Sequence, residues 1–320
     1  MELNEKAGRL CRELAEQADW LRVSVHRDHG AACVIDCGVQ VAGGLEAGRR
    51  MAEICLAGLG SVQLTTGEPG VWRGPWLAVR TDQPVAACMA SQYAGWPMNY
   101  EGFFAMASGP MRAARGREPL FEKIGIRDQA RHVVGVLESS RLPPPHVCDD
   151  VARQCGVGPE EVTLLVAPTT SIAGTVQVVA RSVETALHKM MELGFDVGRV
   201  VSGVGEAPLP PVAGDGLAAI GRTNDAILYG GRVTLWVRGD DASLREIGPR
   251  IPSSASADHG RTFAEVFARY GRDFYRIDPL LFSPAEVQLV NLDSGRLLRF
   301  GRPEPGILEQ SFGNGEGPCG

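Results

Sequence analysis

The sequence predicts an α/β protein in which short strands and amphipathic helices mix without a regular βαβ repeat. Three observations carry this. Short β-rich runs of strand length occur at residues 32–36 and 61–65, and a compact apolar one at 162–166. Between them lie stretches whose apolar residues recur every three to four positions, as on the buried face of a helix. Forty glycines are spread over short loops rather than gathered in one low-complexity tract, so tight turns are frequent.

Taken in order, residues 3–21 read as a helix with Leu10, Leu14 and Ala18 on one stripe. Strands are expected at 21–25, 32–36 and 61–65, with a helix over 45–59 and a strand at 71–80. Pro143, Pro144 and Pro145 interrupt any helix and are the best candidate for a domain hinge. The expectation is therefore an N-terminal α/β domain over 1–145, a C-terminal α/β domain over 146–312 and a glycine-rich flexible tail over 313–320. In the second half, 149–155 reads as helix, 162–166 as a buried strand, 226–229 and 232–238 as strands, and 262–270 as helix.

The composition excludes several classes of function. The chain has 320 residues and a formal charge of −6, and its 32 basic residues form no stripe. A nucleic-acid surface is therefore not expected. No apolar run approaches the roughly 18 residues of a membrane span, and the N-terminus carries Glu2 and Glu5 without an apolar signal core. The eight cysteines form no C-x-x-C pair, which fits free thiols and a cytoplasmic location. Cys33 and Cys37 follow His26 and His29, and such a group can hold a metal. Buried thiols beside surface histidines is the ordinary reading, and no metal site is assigned. Gly203 and Gly205 lack the third glycine of a dinucleotide fingerprint.

The segment 171–193 holds the most information. Ile172, Val176, Val179, Val183, Leu187 and Met190 form the stripe of a single amphipathic helix. Thr169, Thr170 and Ser171 offer hydroxyls to its first turn, and Gly194 offers a stop. A second row, Gln177, Arg181, Glu184 and His188, is displaced by one residue, about 100° around the axis, and borders the buried face where a cleft wall would lie. Arg181 and Glu184 can touch at i, i+3. On spacing alone a solvated ion pair is the commoner outcome, and periodicity does not choose between the two.

The motifs in this region add to that reading. Residues 167–174 (APTTSIAG), then Val176 and Gln177, then 180–189 (ARSVETALHK) resemble the signature of the methenyltetrahydromethanopterin cyclohydrolases, in their bacterial type. Further pieces follow the same order: Tyr93-Ala-Gly-Trp96, Ser108-Gly-Pro110, Gly221-Arg-Thr-Asn-Asp225, Tyr229-Gly-Gly231, Phe274-Tyr-Arg-Ile-Asp278, Phe282-Ser-Pro-Ala285 and Ser311-Phe-Gly313. The resemblance covers roughly residues 30–312 and is weakest over 25–32.

The resemblance implies two α/β domains enclosing a substrate cleft, a homotrimer, no metal and no redox cofactor. It also implies a small-molecule substrate, the methenyl form of tetrahydromethanopterin or its bacterial relative, in one-carbon metabolism. The Arg and Glu to which the family assigns catalysis match Arg181 and Glu184. The reaction expected is hydrolysis of a cyclic amidinium to the N5-formyl product. The remaining assignments to substrate binding stay open against structural roles. Thr169, Thr170 and Ser171 could bind polar pterin edges or simply cap. Tyr93 and Trp96 could stack on the pterin or pack in a core. Gln177, His188, Ser108, Arg222, Asn224, Asp225 and Tyr229 complete the expected set. Two rivals are a non-catalytic protein that binds the pterin carrier and a cyclohydrolase acting on a folate-type carrier.

Overall fold

The structure is a computed structural model that describes residues 2–271 and 276–313. Phe274 and Tyr275 of the expected motif, and residues 314–320 of the expected tail, lie outside the described residues. The chain is of the mixed α/β class, with two six-stranded sheets and flanking helices. It divides into two compact units, one made of the residues up to Val62 together with Val85–Val178, the other of Gln63–Pro84 and the residues from Val179 onward.

The first unit contains β1 (Ser24–His29), β2 (Ala32–Asp36), β5 (Trp96–Tyr100), β6 (Phe103–Ser108), β7 (Val133–Glu138) and β8 (Val162–Ala167), in sheet order β1-β2-β8-β7-β6-β5. β8 runs parallel to both β2 and β7 and is buried along its whole length. That is why it reads as an unbroken apolar run rather than an alternating one. Its side chains alternate between two cores. Leu164 and Val166 pack with Val147, Cys148 and Val151 of the Pro145–Cys155 helix. Leu165 and Ala167 pack with Leu14 of the Leu3–Glu16 helix and with Met51 and Ile54 of the Leu45–Cys55 helix.

The pairing of β8 also corrects the expected boundary. The break predicted between 145 and 146 falls inside the first unit, because β8 inserts between two strands contributed by the first half of the chain. Pro145 sits in the first turn of a helix, where its missing N–H costs nothing.

The second unit is built on the sheet β12-β11-β10-β9-β4-β3. β3 (Gly60–Thr65) is the strand in which the chain leaves the first unit. β4 (Trp76–Thr81), β9 (Val200–Pro208) and β10 (Arg232–Val237) pair antiparallel. β11 (Glu286–Asn291) runs parallel to β10, and β12 (Leu297–Gly301) closes the edge antiparallel to β11. The strand expected at 226–229 is absent: Ala226–Gly230 is a π-helical turn that continues the Gly216–Asp225 helix. A short apolar run does not by itself distinguish a strand from a buried helical segment.

The long helix expected over 171–193 is two helices, Ile172–Val179 and Ser182–Glu192, broken at Ala180 and Arg181. The second ends as predicted. Gly194 takes φ +84°, its N–H donates to the Met191 carbonyl, and the Phe195 N–H donates to that of Met190, which is the Schellman arrangement. The start of this helix lies on β9 where that strand has no side chains. A Cβ on Gly205 would stand 2.4 Å from Ser182 Oγ and 2.9 Å from a methyl of Val183. Gly205→Ala should therefore displace the Ser182 turn and destabilise the protein by about 1–3 kcal/mol, read as a lower denaturation midpoint with turnover reduced in the folded fraction.

Candidate active site

The most concentrated chemistry in the second unit stands at the start of the Ser182–Glu192 helix. Arg181 is its N-cap residue, and its carbonyl accepts the first helical hydrogen bond, from the Thr185 N–H at 2.9 Å. Glu184 follows at the third helical position. The cap-to-third-residue spacing brings the two side chains over the same turn, with Arg181 Nη1 4.0 Å from Glu184 Oε2. Their side chains are 9% and 6% exposed, so this is not a solvated surface pair. Two ions taken out of water need each other: removal of either leaves a buried uncompensated charge.

The other members of that polar row are distributed over both helices. Gln177 is buried on the Ile172–Val179 helix, and His188 is half-buried one turn beyond Glu184. Lys189, beside His188, is almost wholly enclosed. Its ammonium donates to the Leu280 carbonyl, and burial pulls its pKa down to about 8. It ties the segment preceding Phe282 to this helix. The apolar stripe behaves as expected from Val176 to Met190, while Ile172 is 36% exposed.

In the first unit the loop after β8 presents the three expected hydroxyls, which do different things. Ser171 caps the helix that follows: its Oγ accepts from the Gly174 N–H at 3.0 Å and donates to the Pro168 carbonyl at 2.8 Å. Thr169 is buried and donates instead to the carboxylate of Glu138 at the end of β7, while Thr170 is half-buried. Glu138 was missed by sequence reasoning. The available signal was a single acid closing an otherwise apolar strand.

Tyr93 lies with its ring 5.0 Å from the Arg112 guanidinium, and Arg112 is fully buried and paired with Glu118. Trp96 is 3% exposed, packs with Met98 and Phe103, and carries Arg115 over its ring at 4.1 Å. Trp96 is thus a core residue. The Ser108 hydroxyl is buried against the Val136 carbonyl at 3.2 Å.

A second polar group in the second unit gathers Arg222, Asn224, Asp225 and Tyr229. Arg222 donates to the carbonyls of Ser311 and Pro211, and Asn224 donates to the Ile220 carbonyl at 2.8 Å. Asp225 is fully buried and accepts from the Phe263 N–H at 2.8 Å and from Ser311 Oγ at 2.6 Å. Tyr229 donates to the Arg261 carbonyl, accepts from the Gly260 N–H at 3.2 Å, and lies 5.1 Å from the His259 ring. These contacts bind the Gly216–Asp225 helix to the loop at 259–263 and to the Pro305–Phe312 helix.

Burial lifts Asp225 to about 7, against the opposing effect of its two donors. A carboxyl whose folded pKa exceeds its unfolded value stabilises the fold most below the unfolded pKa. That contribution is lost as pH rises through the folded pKa. Asp225 should therefore weaken the protein between about pH 4 and pH 7. In Asp225→Asn, the decline of the denaturation midpoint between pH 5 and pH 8 should be smaller than in the parent chain.

Residues 2–312 match the protein family described as Cyclohydrolase (MCH). A protein from Methylobacterium sp. (strain 4-46) named methenyltetrahydromethanopterin cyclohydrolase is 49% identical over 97% of this chain and 97% of its own length. Its namesake from Methylobacillus flagellatus is 47% identical over 97% and 95%. One from Methanosarcina barkeri is 41% identical over 97% and 98%. With the family matched along almost its whole length, this chain belongs to the Cyclohydrolase (MCH) family, that of the methenyltetrahydromethanopterin cyclohydrolases.

Proposed function

We propose that the chain hydrolyses the cyclic amidinium of 5,10-methenyltetrahydromethanopterin, or of its bacterial dephospho relative, to the N5-formyl compound. Family membership supports the substrate class. The single structural observation that supports the chemistry is the buried Arg181–Glu184 pair at 4.0 Å.

The substrate carbon lies between two nitrogens that share a positive charge, so it is already electrophilic and needs no Lewis acid. Glu184 acts as general base, taking one proton from a water as its oxygen bonds to that carbon. The neutral carbinolamine then breaks its bond to N10. Glu184 returns its proton to N10, and the carbinol O–H proton leaves to solvent as the formyl C=O forms. The balance is one cation and one water giving one neutral formyl compound and one proton. Arg181 holds Glu184 as the carboxylate and faces the developing oxygen. A pair close to neutral overall also suits a cationic substrate, which a net positive site would repel. A non-catalytic carrier-binding protein would not need a buried carboxylate of this kind.

The homotrimer and the absence of a metal or redox cofactor in the reaction belong to the same proposal and rest on the family resemblance alone. Among the described residues no helix is long and apolar enough to cross a membrane.

Glu184→Gln should lower kcat by about 10²–10⁴-fold, the range of a general base, while circular dichroism shows a retained fold. Near-parental turnover would remove Glu184 from the reaction. Arg181→Lys should not restore the parental rate, since an ammonium does not reproduce the guanidinium fork. Loss of the methenyl chromophore, followed with a chelator present, should be seen with the methanopterin carrier. Activity on the folate carrier alone would overturn the substrate assignment.

A further inference from the structure

The hairpin of β1 and β2 carries a group that the cyclohydrolase reading does not use. Its register is regular from Ser24 opposite Asp36 to His26 opposite Val34, then shifts so that His29 stands opposite Ala32. Arg27 and Asp28 together therefore oppose Cys33, which makes a β-bulge with one extra residue on β1. In a regular strand residues 26 and 29 would point to opposite faces. The bulge turns them to the same side, and their rings meet edge to face with centroids 5.6 Å apart.

Asp28 lies between them. Its Oδ1 is 3.8 Å from His26 Nδ1 and 3.9 Å from His29 Nε2, and the three donor atoms all lie within 4.8 Å of one another. Four ligands at ~2.0–2.1 Å in a tetrahedral zinc site stand about 3.4 Å apart, so the set closes when the exposed Asp28 side chain turns and the two imidazoles draw toward each other. The ring nitrogens are already sorted. His29 Nδ1 stands 2.8 Å from the Pro143 carbonyl, which can only accept, so Nδ1 carries the hydrogen and Nε2 keeps its lone pair. That backbone contact is the outer support typical of metal-bound histidine. His26 turns Nε2 into the protein, where it is buried without a partner among the described residues, and presents Nδ1 to Asp28.

The thiols nearby are not part of the group. Cys37 is wholly buried in the core beneath the Leu45–Cys55 helix, and burial raises the pKa of both Cys37 and Cys33, which disfavours the thiolate a metal needs.

We propose that His26, Asp28 and His29 form a binding site for a borderline divalent cation of the zinc class, outside the cyclohydrolase chemistry, which clamps the β1–β2 hairpin to the segment at Pro143. Two imidazoles and one carboxylate favour zinc, nickel or copper over magnesium or calcium, which prefer all-oxygen sets. Solvent completes the coordination on the exposed side of Asp28.

The test is calorimetric titration of the metal-stripped full chain with zinc chloride, repeated with His26→Ala and His29→Ala. Histidine side-chain NMR of the parent protein follows the same titration. The expected result is one zinc per chain, with shifts confined to the His26 and His29 imidazoles, and a dissociation constant at least about tenfold weaker in each variant. Magnesium should produce no such shifts. Unchanged zinc binding in both variants, zinc shifts at other histidines only, or no binding by the parent chain would overturn the proposal. Cyclohydrolase turnover should be the same with zinc or with chelator.

Discussion

The start of the Ser182–Glu192 helix is organised around one buried ion pair, placed at the cap rather than along a helix flank. Arg181 and Glu184 are held over the same turn because one is the cap and the other the third helical residue. In that position Glu184 lies in the first turn of the helix, where a negative charge is favoured, and Arg181 supplies the opposite charge. Water would weaken this attraction many-fold. Enclosure gives it force and makes each member indispensable to the other.

The enclosure is built by backbone as much as by side chains. β9 presents Gly203 and Gly205 to the Ser182 turn, and the contact of Ser182 with the place where a Gly205 side chain would stand leaves no room for a methyl group. The helix start therefore sits on the strand at closer range than ordinary packing allows, while the Schellman turn at Gly194 fixes its other end. Both ends of the short helix are thus defined, and the pair inherits its position from them. The polar cluster of Asp225 and Tyr229 performs a comparable task within the same unit, joining two helices and a loop through hydrogen bonds to backbone and to Ser311.

The expected ligand-binding residues are sorted by what surrounds them. Ser171 is a helix cap, Trp96 a core residue and Arg222 a tie between carbonyls. Thr169 holds the carboxylate of Glu138. In each case the side chain is hydrogen-bonding or aromatic, as its type dictates. The partner was the missing information, and partners such as Glu138 for Thr169 or Ser311 for Asp225 are distant in the chain.

The features legible from residue order are local and periodic. The buried strand at 162–166, the apolar stripe from Val176 to Met190, the stop at Gly194 and the Arg181–Glu184 spacing all follow from side-chain repeat and from glycine's freedom at positive φ. The ordered motifs along the chain were sufficient to place it in its family. Folding sets the break at Ala180 and Arg181, where no glycine or proline marks it, and groups residues 146–178 with the first sheet. It also sets the π-helical turn at 226–230, the bulge that aligns His26 with His29, and the burial of the ion pair. The physical reason is the same throughout. Periodicity states which residues share a face, but only packing against distant segments decides whether that face meets water, a neighbouring strand or an opposite charge.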